Sequence, residues 1–422
     1  RDPPSPRIPN LFPAKPLPMS RPFANPVALL REHDYRSLWF AGGCFWTVRW
    51  IEVLAVSVFV FEFTGSATAV ALVMFARTLP MILFGAVIGA LAQHFQGRTL
   101  MLFGLVVLSL MSAGLSALVA FGAIEVWHIA LGAFLNGTYG TMEFSVRRIM
   151  LGEIVGAERA GSALALDSVT MNGTRILGPV VGGLLYELIG LEGAYAASAL
   201  LHGTAVLLVA GLRYRQSARI APKILFTADL FEGFRYAGTN KLLIGMFIVT
   251  VAMNFFSFPF VSMVPVIGKE VLLLSALPIG LLITSNGLGS LVGAVFISLY
   301  QPRDRVRVFF LGSVLNLVAI FAFSFSQSFE VAMVTLLIAG LCNACFSANQ
   351  SAIVFLATIP AMRSRMMGAL TMCIGMGHFG LLHIGFMASI YGGATAVAVM
   401  TIEGFLVMGA IYLFCPALRK EQ

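Results

Sequence analysis

Twelve apolar stretches, each long enough to cross a lipid bilayer as a helix, recur along the 422 residues of the chain. They are centred near residues 50, 80, 110, 138, 172, 202, 252, 286, 317, 342, 377 and 405. Hydrophobic residues make up 59% of the chain and charged residues 11%, so little sequence is left for a soluble domain. The sequence therefore predicts an all-α membrane protein with twelve transmembrane helices.

Two polar segments divide the chain. Residues 1–28 contain nine of the eighteen prolines and are predicted to be a disordered cytoplasmic tail, because proline interrupts helices. Residues 214–240 form the longest polar interruption and are predicted to be a cytoplasmic linker. We therefore expect a six-helix bundle over residues 29–213 and a second one over residues 241–418.

The two bundles are predicted to be related by pseudo-symmetry. The segment at the end of the second apolar stretch, residues 89–98, has a counterpart after the eighth, residues 293–303. Residues 159–164, before the fifth stretch, match residues 365–370, before the eleventh. Duplicated halves of this kind are typical of transporters whose halves rock about a central site.

The distribution of positive charge predicts the orientation. If the tail and every second loop lie on one side, that side collects 23 of the 27 lysines and arginines, and the other side has Lys269 alone. This bias predicts a multi-pass protein of the inner (plasma) membrane with both termini in the cytoplasm. Since topology accounts for the net charge of +8, no nucleic-acid partner is expected.

Several charged residues fall inside the apolar stretches of the first half, where each costs about 2.5–3.5 kcal/mol on insertion scales. Arg49 and Glu52 lie one helical turn apart. They are predicted either to pair with each other or to line the substrate path, with Glu52 exchanging a proton. The other members of the predicted substrate and proton pathway in this half are Arg77, Glu143, Asp167 and Arg175.

The arginines of this half allow two interpretations. Arg175 is placed to present its guanidinium to an anionic group, but Arg77 and Arg175 are equally suited to hydrogen bonding between helices. Arg147 and Arg148 are predicted to be cytoplasmic anchors. The chamber is expected to be walled by the first, second, fourth and fifth helices.

The second half offers polar side chains without charge. The predicted pathway residues here are Asn254, Asn286, Gln350 and His378. Such amides either line a cavity or join helices. With the neighbouring phenylalanines they suit an amphipathic organic substrate, and a histidine suits a proton relay.

Neither a metal nor a cofactor is expected. His378 and His383 are five residues apart and do not share a helix face well, and the pair Cys342 and Cys345 lies inside an apolar stretch with no second pair. The chain has no G-x-x-x-x-G-K-[ST] loop, so ATP is not expected to supply the energy.

Four short motifs carry a resemblance to a known family. They are Asp34-Tyr-Arg-Ser-Leu-Trp39, Phe61-Glu-Phe-Thr-Gly-Ser66-Ala-Thr-Ala-Val70, Ala76-Arg77-Thr-Leu-Pro80 and Gly178-Pro179-Val-Val-Gly182-Gly183-Leu-Leu185. With them, residues 30–418 resemble the major facilitator superfamily, and within it the twelve-span exporters that include macrolide-efflux proteins and the enterobactin exporter. The resemblance implies the major facilitator fold.

The resemblance also implies residues for gating. Gly178, Pro179, Gly182 and Gly183 look like the family's antiporter motif, and their small size suits helices that slide past each other. After the second stretch, Gln93 stands where the family usually has an acidic residue, while Arg98 is retained. The charged latch of the family is therefore expected to be weakened.

These observations predict a secondary active transporter, a proton-coupled exporter of an amphipathic small molecule of the drug or siderophore class. It is expected to work as a monomer by alternating access. The alternatives are an importer or a lipid-type flippase of the same fold, and a transport-inactive membrane sensor or scaffold. An enzyme is not expected, because the sequence offers no set of nucleophile, base and acid.

Overall fold

A computed structural model describes residues 26–156, 158–214, 235–238, 240–300, 304–359 and 362–415, without the side chains of residues 26, 27, 85–94 and 364. Within these ranges the regular elements are all helices. The all-α prediction is therefore confirmed. Residues 1–25 of the predicted tail and residues 215–234 of the predicted linker lie outside the described part of the chain.

The first half begins with a short helix, Pro26–Leu29, and continues with the long helices. Four of them are α1 (His33–Thr64), α2 (Ala67–His94), α3 (Gly97–Ala120) and α4 (Val126–Val155). The next helix, Ala160–Ala210, is interrupted at Gly190, whose φ of 77° and ψ of −164° are not helical. We name the part before this glycine α5 and the part after it α6.

The second half contains six further crossings, two of them composite. α7 consists of Lys241–Phe256, a 3-10 turn at Phe258–Met263, and Val264–Glu270. The single helices are α8 (Ala276–Tyr300), α9 (Arg305–Ser324), α10 (Phe329–Leu356) and α12 (Gly393–Phe414). α11 consists of Arg363–Gly375 and Gly377–Tyr391.

Ten stretches of the described helices are long and apolar enough to cross a membrane, with Ala160–Ala210 counted as one. α4 has the length but is more polar, since it carries the charged residues discussed below. With α4 added and the long helix divided at Gly190, the described helices give the twelve crossings that the sequence predicts.

The turn between α1 and α2 shows how local sequence ends a helix. Gly65 has a φ of 63°, a left-handed conformation that glycine adopts without strain. Its N–H donates to the carbonyl of Phe61 at 2.8 Å and so closes the last turn of α1.

α7 begins with a side-chain cap, because Asn240 accepts hydrogen bonds from the backbone N–H groups of Leu242 and Leu243.

The helices pack mainly within each half. α1 packs along α5 and α6, α3 along α6, and α2 along α4; in the second half, α10 packs along both α8 and α9. The two halves meet where α5 crosses α8 and where α2 contacts α11. Buried residues of both halves form one continuous apolar cluster, which includes Leu54, Val70, Ile279 and Ile384.

We call the side of the molecule that carries the starts of α1 and α7 the terminal face, and the other side the opposite face. At the opposite face, Lys269 Nζ lies 2.6 Å from Glu62 Oε1, and Ser275 donates to Glu187 at 3.0 Å. Both contacts join one half to the other. Between described residues, the hydrogen bonds and ion pairs that cross between the halves all lie at mid-depth or toward this face.

Candidate substrate cavity

A cavity of about 380 Å³ lies between the two halves at mid-depth. The first half contributes one residue of its described lining, Arg175 of α5. The rest of the lining comes from the second half: Asn254, Phe258, Phe260, Val261, Asn286, Asn316, Asn343, Phe346, Ser347, Gln350 and Ile374. Of the first, second, fourth and fifth helices, which the sequence predicts as the walls of the chamber, the fifth alone contributes to the described lining of this cavity.

Arg175 enters the cavity as a cation held by neutral groups. It donates to the side-chain oxygen of Asn286 at 3.0 Å, a hydrogen bond that joins α5 to α8. Its guanidinium carbon lies 5.8 Å from the centre of the Trp50 ring. No carboxylate in the described part of the chain forms an ion pair with it, so donors of its guanidinium remain for a ligand.

The amides of the second half are fixed on one side and available on the other. Gln350 donates to the hydroxyl of Thr250 at 2.8 Å, and Asn254 donates to the carbonyl of Thr250 at 2.9 Å. Asn316 accepts from Ser257 at 2.6 Å. The side-chain oxygen of Asn343 has no hydrogen-bond partner among the described residues. The cavity wall can therefore exchange hydrogen bonds with a polar ligand.

Aromatic rings form the apolar part of the same wall. Phe258 and Phe346 pack edge to face with their centres 5.8 Å apart, and Phe309 stacks behind Phe346 at 5.1 Å. The structure thus brings together four of the predicted pathway residues in one cavity. These four are Arg175, Asn254, Asn286 and Gln350.

A second group of predicted residues forms a buried ion pair in the first half. Arg77 of α2 donates to Glu52 of α1 at 2.8 Å, and Asn136 of α4 donates to the same carboxylate oxygen at 3.2 Å. Both charged side chains are 2% exposed. The α2 and α4 backbones approach closely here because Gly137 has no side chain, and a Cβ there would overlap the carbonyl of Arg77.

The predicted pairing of Arg49 with Glu52 is therefore wrong. The carboxylate of Glu52 binds Arg77 of the neighbouring helix α2 and not Arg49 of its own helix. Arg49 lies instead with its guanidinium carbon 5.4 Å from the centre of the Trp46 ring. The predicted pathway residue His378 lies on α11, where its ring nitrogen contacts the carbonyl of Gly375.

A third group lies nearer the terminal face. Arg147 binds both Glu143, one turn earlier on α4, and Asp167 on α5, and all three side chains are at most 2% exposed. The guanidinium fits against α1 because Gly42 has no side chain there. The prediction that Arg147 is a cytoplasmic anchor is therefore wrong, because its charge is neutralised inside the bundle. Arg148 remains 31% exposed.

The predicted gating glycines lie between three helices. A Cβ at Gly182 would lie 2.8 Å from the Cα of Ile51 on α1, and one at Gly183 would lie 2.7 Å from the carbonyl oxygen of Ala276 at the start of α8. Gly178 faces the Trp50 side chain, also on α1. The carbonyl of Pro179 occupies the space beside Gly280 of α8, at the same crossing.

Of the other two predicted gating residues, the structure describes the side chain of Arg98 alone. Arg98 donates to the carbonyl of Ala210 at 2.6 Å and so joins the start of α3 to the end of α6 within the first half. The side chain of Gln93 lies outside the described residues.

Two polar contacts were not part of the predicted pathway. Asn136 completes the Glu52 site, and its signal in the sequence is an amide beside a glycine within an apolar stretch. His383 of α11 lies 2.7 Å from Glu403 of α12, and both side chains are partly exposed. This pair is not part of the cavity lining.

The comparison with known families decides the identity of the fold. Residues 24–421 match the family described as transmembrane secretion effector, which is nearly the whole chain. The chain belongs to this family of the major facilitator superfamily. It is a multi-pass membrane transporter and not an enzyme.

Three relatives place it among bacterial transporters. The staphyloferrin A transporter of Staphylococcus aureus is 20% identical over 88% of this chain and 94% of its own length. The multidrug efflux pump Tap of Mycobacterium bovis and Mycobacterium tuberculosis is 24% identical, over 88% of this chain and 90% of its own length. An uncharacterised transporter of Bacillus subtilis, YfiS, is 24% identical over 36% of this chain and 35% of its own length.

Solved structures agree with the fold. The nucleoside transporter NupG superposes with a TM-score of 0.71, at 13% identity, over 93% of this chain and 100% of its own. A bacterial homologue of the human lysosomal transporter Spinster, inward-facing and unoccupied, gives 0.68 at 14% identity, over 94% and 96%. Two pseudo-symmetric six-helix halves are thus the architecture of this transporter.

Proposed function

We propose that this transporter exports an amphipathic small molecule in exchange for protons, by alternating access. The single observation that carries the proposal is the cavity between the halves. It combines a guanidinium, five amides and aromatic rings, the composition of a site for a molecule with polar and apolar parts. Its position at mid-depth between the halves is the place where rocking motion exposes a ligand first to one side and then to the other.

The relatives support the substrate class. One is named for the siderophore staphyloferrin A and another as a multidrug efflux pump. Both classes are organic molecules of moderate size with mixed polarity. We therefore assign the substrate to the drug or siderophore class.

The contacts between the halves support a cytoplasm-facing state. The excess of lysine and arginine on the terminal face supports a cytoplasmic position for that face. The described contacts across the halves lie at mid-depth and toward the opposite face. Contacts that join the halves on the opposite face suit a state that loads substrate from the cytoplasm, as an exporter requires.

We assign the proton to Glu52. Its carboxylate is bound by Arg77 and Asn136, contributed by two different helices, so protonation would release α2 and α4 from α1. In this proposal a proton binds Glu52 from one side of the membrane and leaves on the other, and the substrate moves in the opposite direction. The pair of His383 and Glu403 is a second candidate, because a partly exposed imidazole beside a carboxylate can accept a proton near neutral pH.

The test is transport in liposomes with an imposed pH gradient. The purified protein is reconstituted and offered erythromycin, ethidium and staphyloferrin A, with and without the gradient. We expect gradient-driven movement of at least one compound and loss of the gradient effect in Glu52→Gln. If the gradient effect is lost in Glu403→Gln but kept in Glu52→Gln, the proton site is the pair of His383 and Glu403.

The remaining outcomes identify the alternatives. Movement that ignores the gradient would indicate a uniporter or a flippase. Movement only toward the cytoplasmic side would indicate an importer. No movement of any compound, with the protein folded and correctly inserted, would favour a sensor or scaffold.

A further inference from the structure

The membrane-embedded arginines of the first half differ in how their charge is balanced. Arg77 is bound to Glu52, and Arg147 is bound to Glu143 and Asp167. Arg175 has only a neutral amide and the face of an indole ring, and no carboxylate of the described residues is within ion-pair distance. A cation at bilayer depth without a counter-ion is costly. That cost falls when a ligand supplies the negative charge.

We infer that Arg175 is the anion-recognition residue of the cavity and that the substrate carries a carboxylate or a comparable planar anion. The inference rests on the proposed function, since it names the chemical class of ligand for the same cavity. A guanidinium matches the two oxygens of a carboxylate with two parallel N–H donors. Asn286 fixes its orientation from across the seam between the halves by accepting one hydrogen bond at 3.0 Å.

The rest of the wall defines the remainder of the ligand. The rings of Phe258, Phe260 and Phe346 provide an apolar surface, and the amides of Asn254 and Gln350 offer their side-chain oxygens as hydrogen-bond acceptors. A ligand that satisfies all three has an anionic group, an adjacent N–H or O–H donor and an apolar or aromatic body. N-acyl amino acids and hydroxycarboxylates have this combination.

The same wall disfavours cationic amphiphiles. Neither an aspartate nor a glutamate is found among the described residues that line the cavity. A cationic compound would therefore add a second positive charge beside Arg175 with nothing to balance it. The cavity should therefore bind anionic compounds in preference to cationic ones.

The test measures binding of two probes that differ in one charge. The full chain is purified in lipid nanodiscs at neutral pH and titrated with N-dansyl-phenylalanine, an anion, and with N-dansyl-phenylalaninamide, its neutral counterpart. Energy transfer from tryptophan to dansyl reports binding. We expect the anion to bind about tenfold to a hundredfold more tightly, as for a hydrogen bond to a charged group.

Variants assign the preference to the residue. Arg175→Gln should bind both probes equally, while Arg175→Lys should retain part of the preference. Arg36→Gln, which removes an exposed arginine near the terminal face, should keep the whole preference. Two further matched pairs, N-dansyl-leucine and N-dansyl-valine with their amides, test whether a poor fit of the phenylalanine side chain hides the preference.

Two results would overturn the inference. One is equal or absent binding of the anion relative to its amide in all three pairs with the unaltered protein. The other is a preference that survives Arg175→Gln. Neither result bears on transport itself, because gradient-driven movement in liposomes is measured separately, and movement of any of the offered compounds would leave the exporter intact.

Discussion

The two halves of the transporter treat buried polarity differently. The first half pairs most of its buried charges internally, Glu52 with Arg77, and Arg147 with Glu143 and Asp167, and leaves Arg175 with no carboxylate partner among the described residues. The second half lines the cavity with amides, several of them only partly bonded within the protein. The difference teaches that most of the charge at bilayer depth holds helices together, while one unpaired cation, Arg175, and the neutral amides of the second half line the cavity.

The largest expected effect on stability comes from removing one charge of a buried cluster in the first half. Arg147→Met removes the only cation that binds both Glu143 and Asp167 among the described residues and leaves the two buried carboxylates side by side. Removing one partner of a buried ion pair costs about 3–5 kcal/mol of the free energy of unfolding, so most of the protein should no longer fold. Thermal denaturation and size-exclusion chromatography check this.

The matched control is Arg148→Met. That arginine is 31% exposed and lies 3.6 Å from Asp167, so its loss should change the unfolding free energy by less than about 1 kcal/mol. Equal stability of the two variants would remove the distinction between paired and anchoring arginines.

The next effect concerns the Glu52 pair. Arg77→Gln leaves a buried carboxylate that only Asn136 binds and should lower the unfolding free energy by about 3 kcal/mol. The double variant Glu52→Gln with Arg77→Gln should recover at least half of that loss, because no unpaired charge remains. A double variant as unstable as the single one would mean that packing, and not charge, dominates the site.

A smaller effect concerns the seam between the halves. Gly183→Val places side-chain atoms against the start of α8, and overpacking of this kind costs about 1–3 kcal/mol. We expect a folded protein with a clearly slower transport rate in liposomes. Gly173→Ala is the control, because a Cβ at this position of α5 meets nothing within 4 Å. An unchanged rate in Gly183→Val would show that the crossing of α5 and α8 does not limit transport.

The smallest effect concerns the opposite face. Lys269→Gln removes the ion pair with Glu62, whose side chain is 41% exposed, so the pair contributes less than about 1 kcal/mol and is screened by salt. Labelling of a cysteine introduced at Ser66 with a maleimide should accelerate by up to about fivefold, and by less at high salt. Slower labelling would contradict the role of this pair in closing that face.

The fold could be predicted from the sequence because each membrane crossing is marked by its own stretch of apolar residues. The length of each apolar stretch predicts a helix, and Gly65 marks a turn between two helices. The bias of positive charge predicts an even number of crossings, because it assigns both termini to the same side. None of these signals requires knowledge of which helices touch. For that reason the motifs around Arg77 and Gly178 could also indicate the superfamily correctly.

The partners of the buried charges could not be predicted in the same way. Membrane helices are apolar on nearly all sides, so the sequence does not mark which face of α1 meets α2. Arg49 was the local neighbour of Glu52, but Arg77 reached it through the close approach at Gly137. Arg147 stands near a helix end and resembles an anchor, yet Gly42, more than a hundred residues earlier, makes room for it inside.

The interruption at Gly190 has a mechanical consequence. A single residue joins α5 to α6, so the two helices have no slack between them. α6 is in turn bonded to α3 through Ser109, which donates to the carbonyl of Ala199 at 3.0 Å. A displacement of α5 against α8 is therefore expected to move α6 and α3 in the same direction.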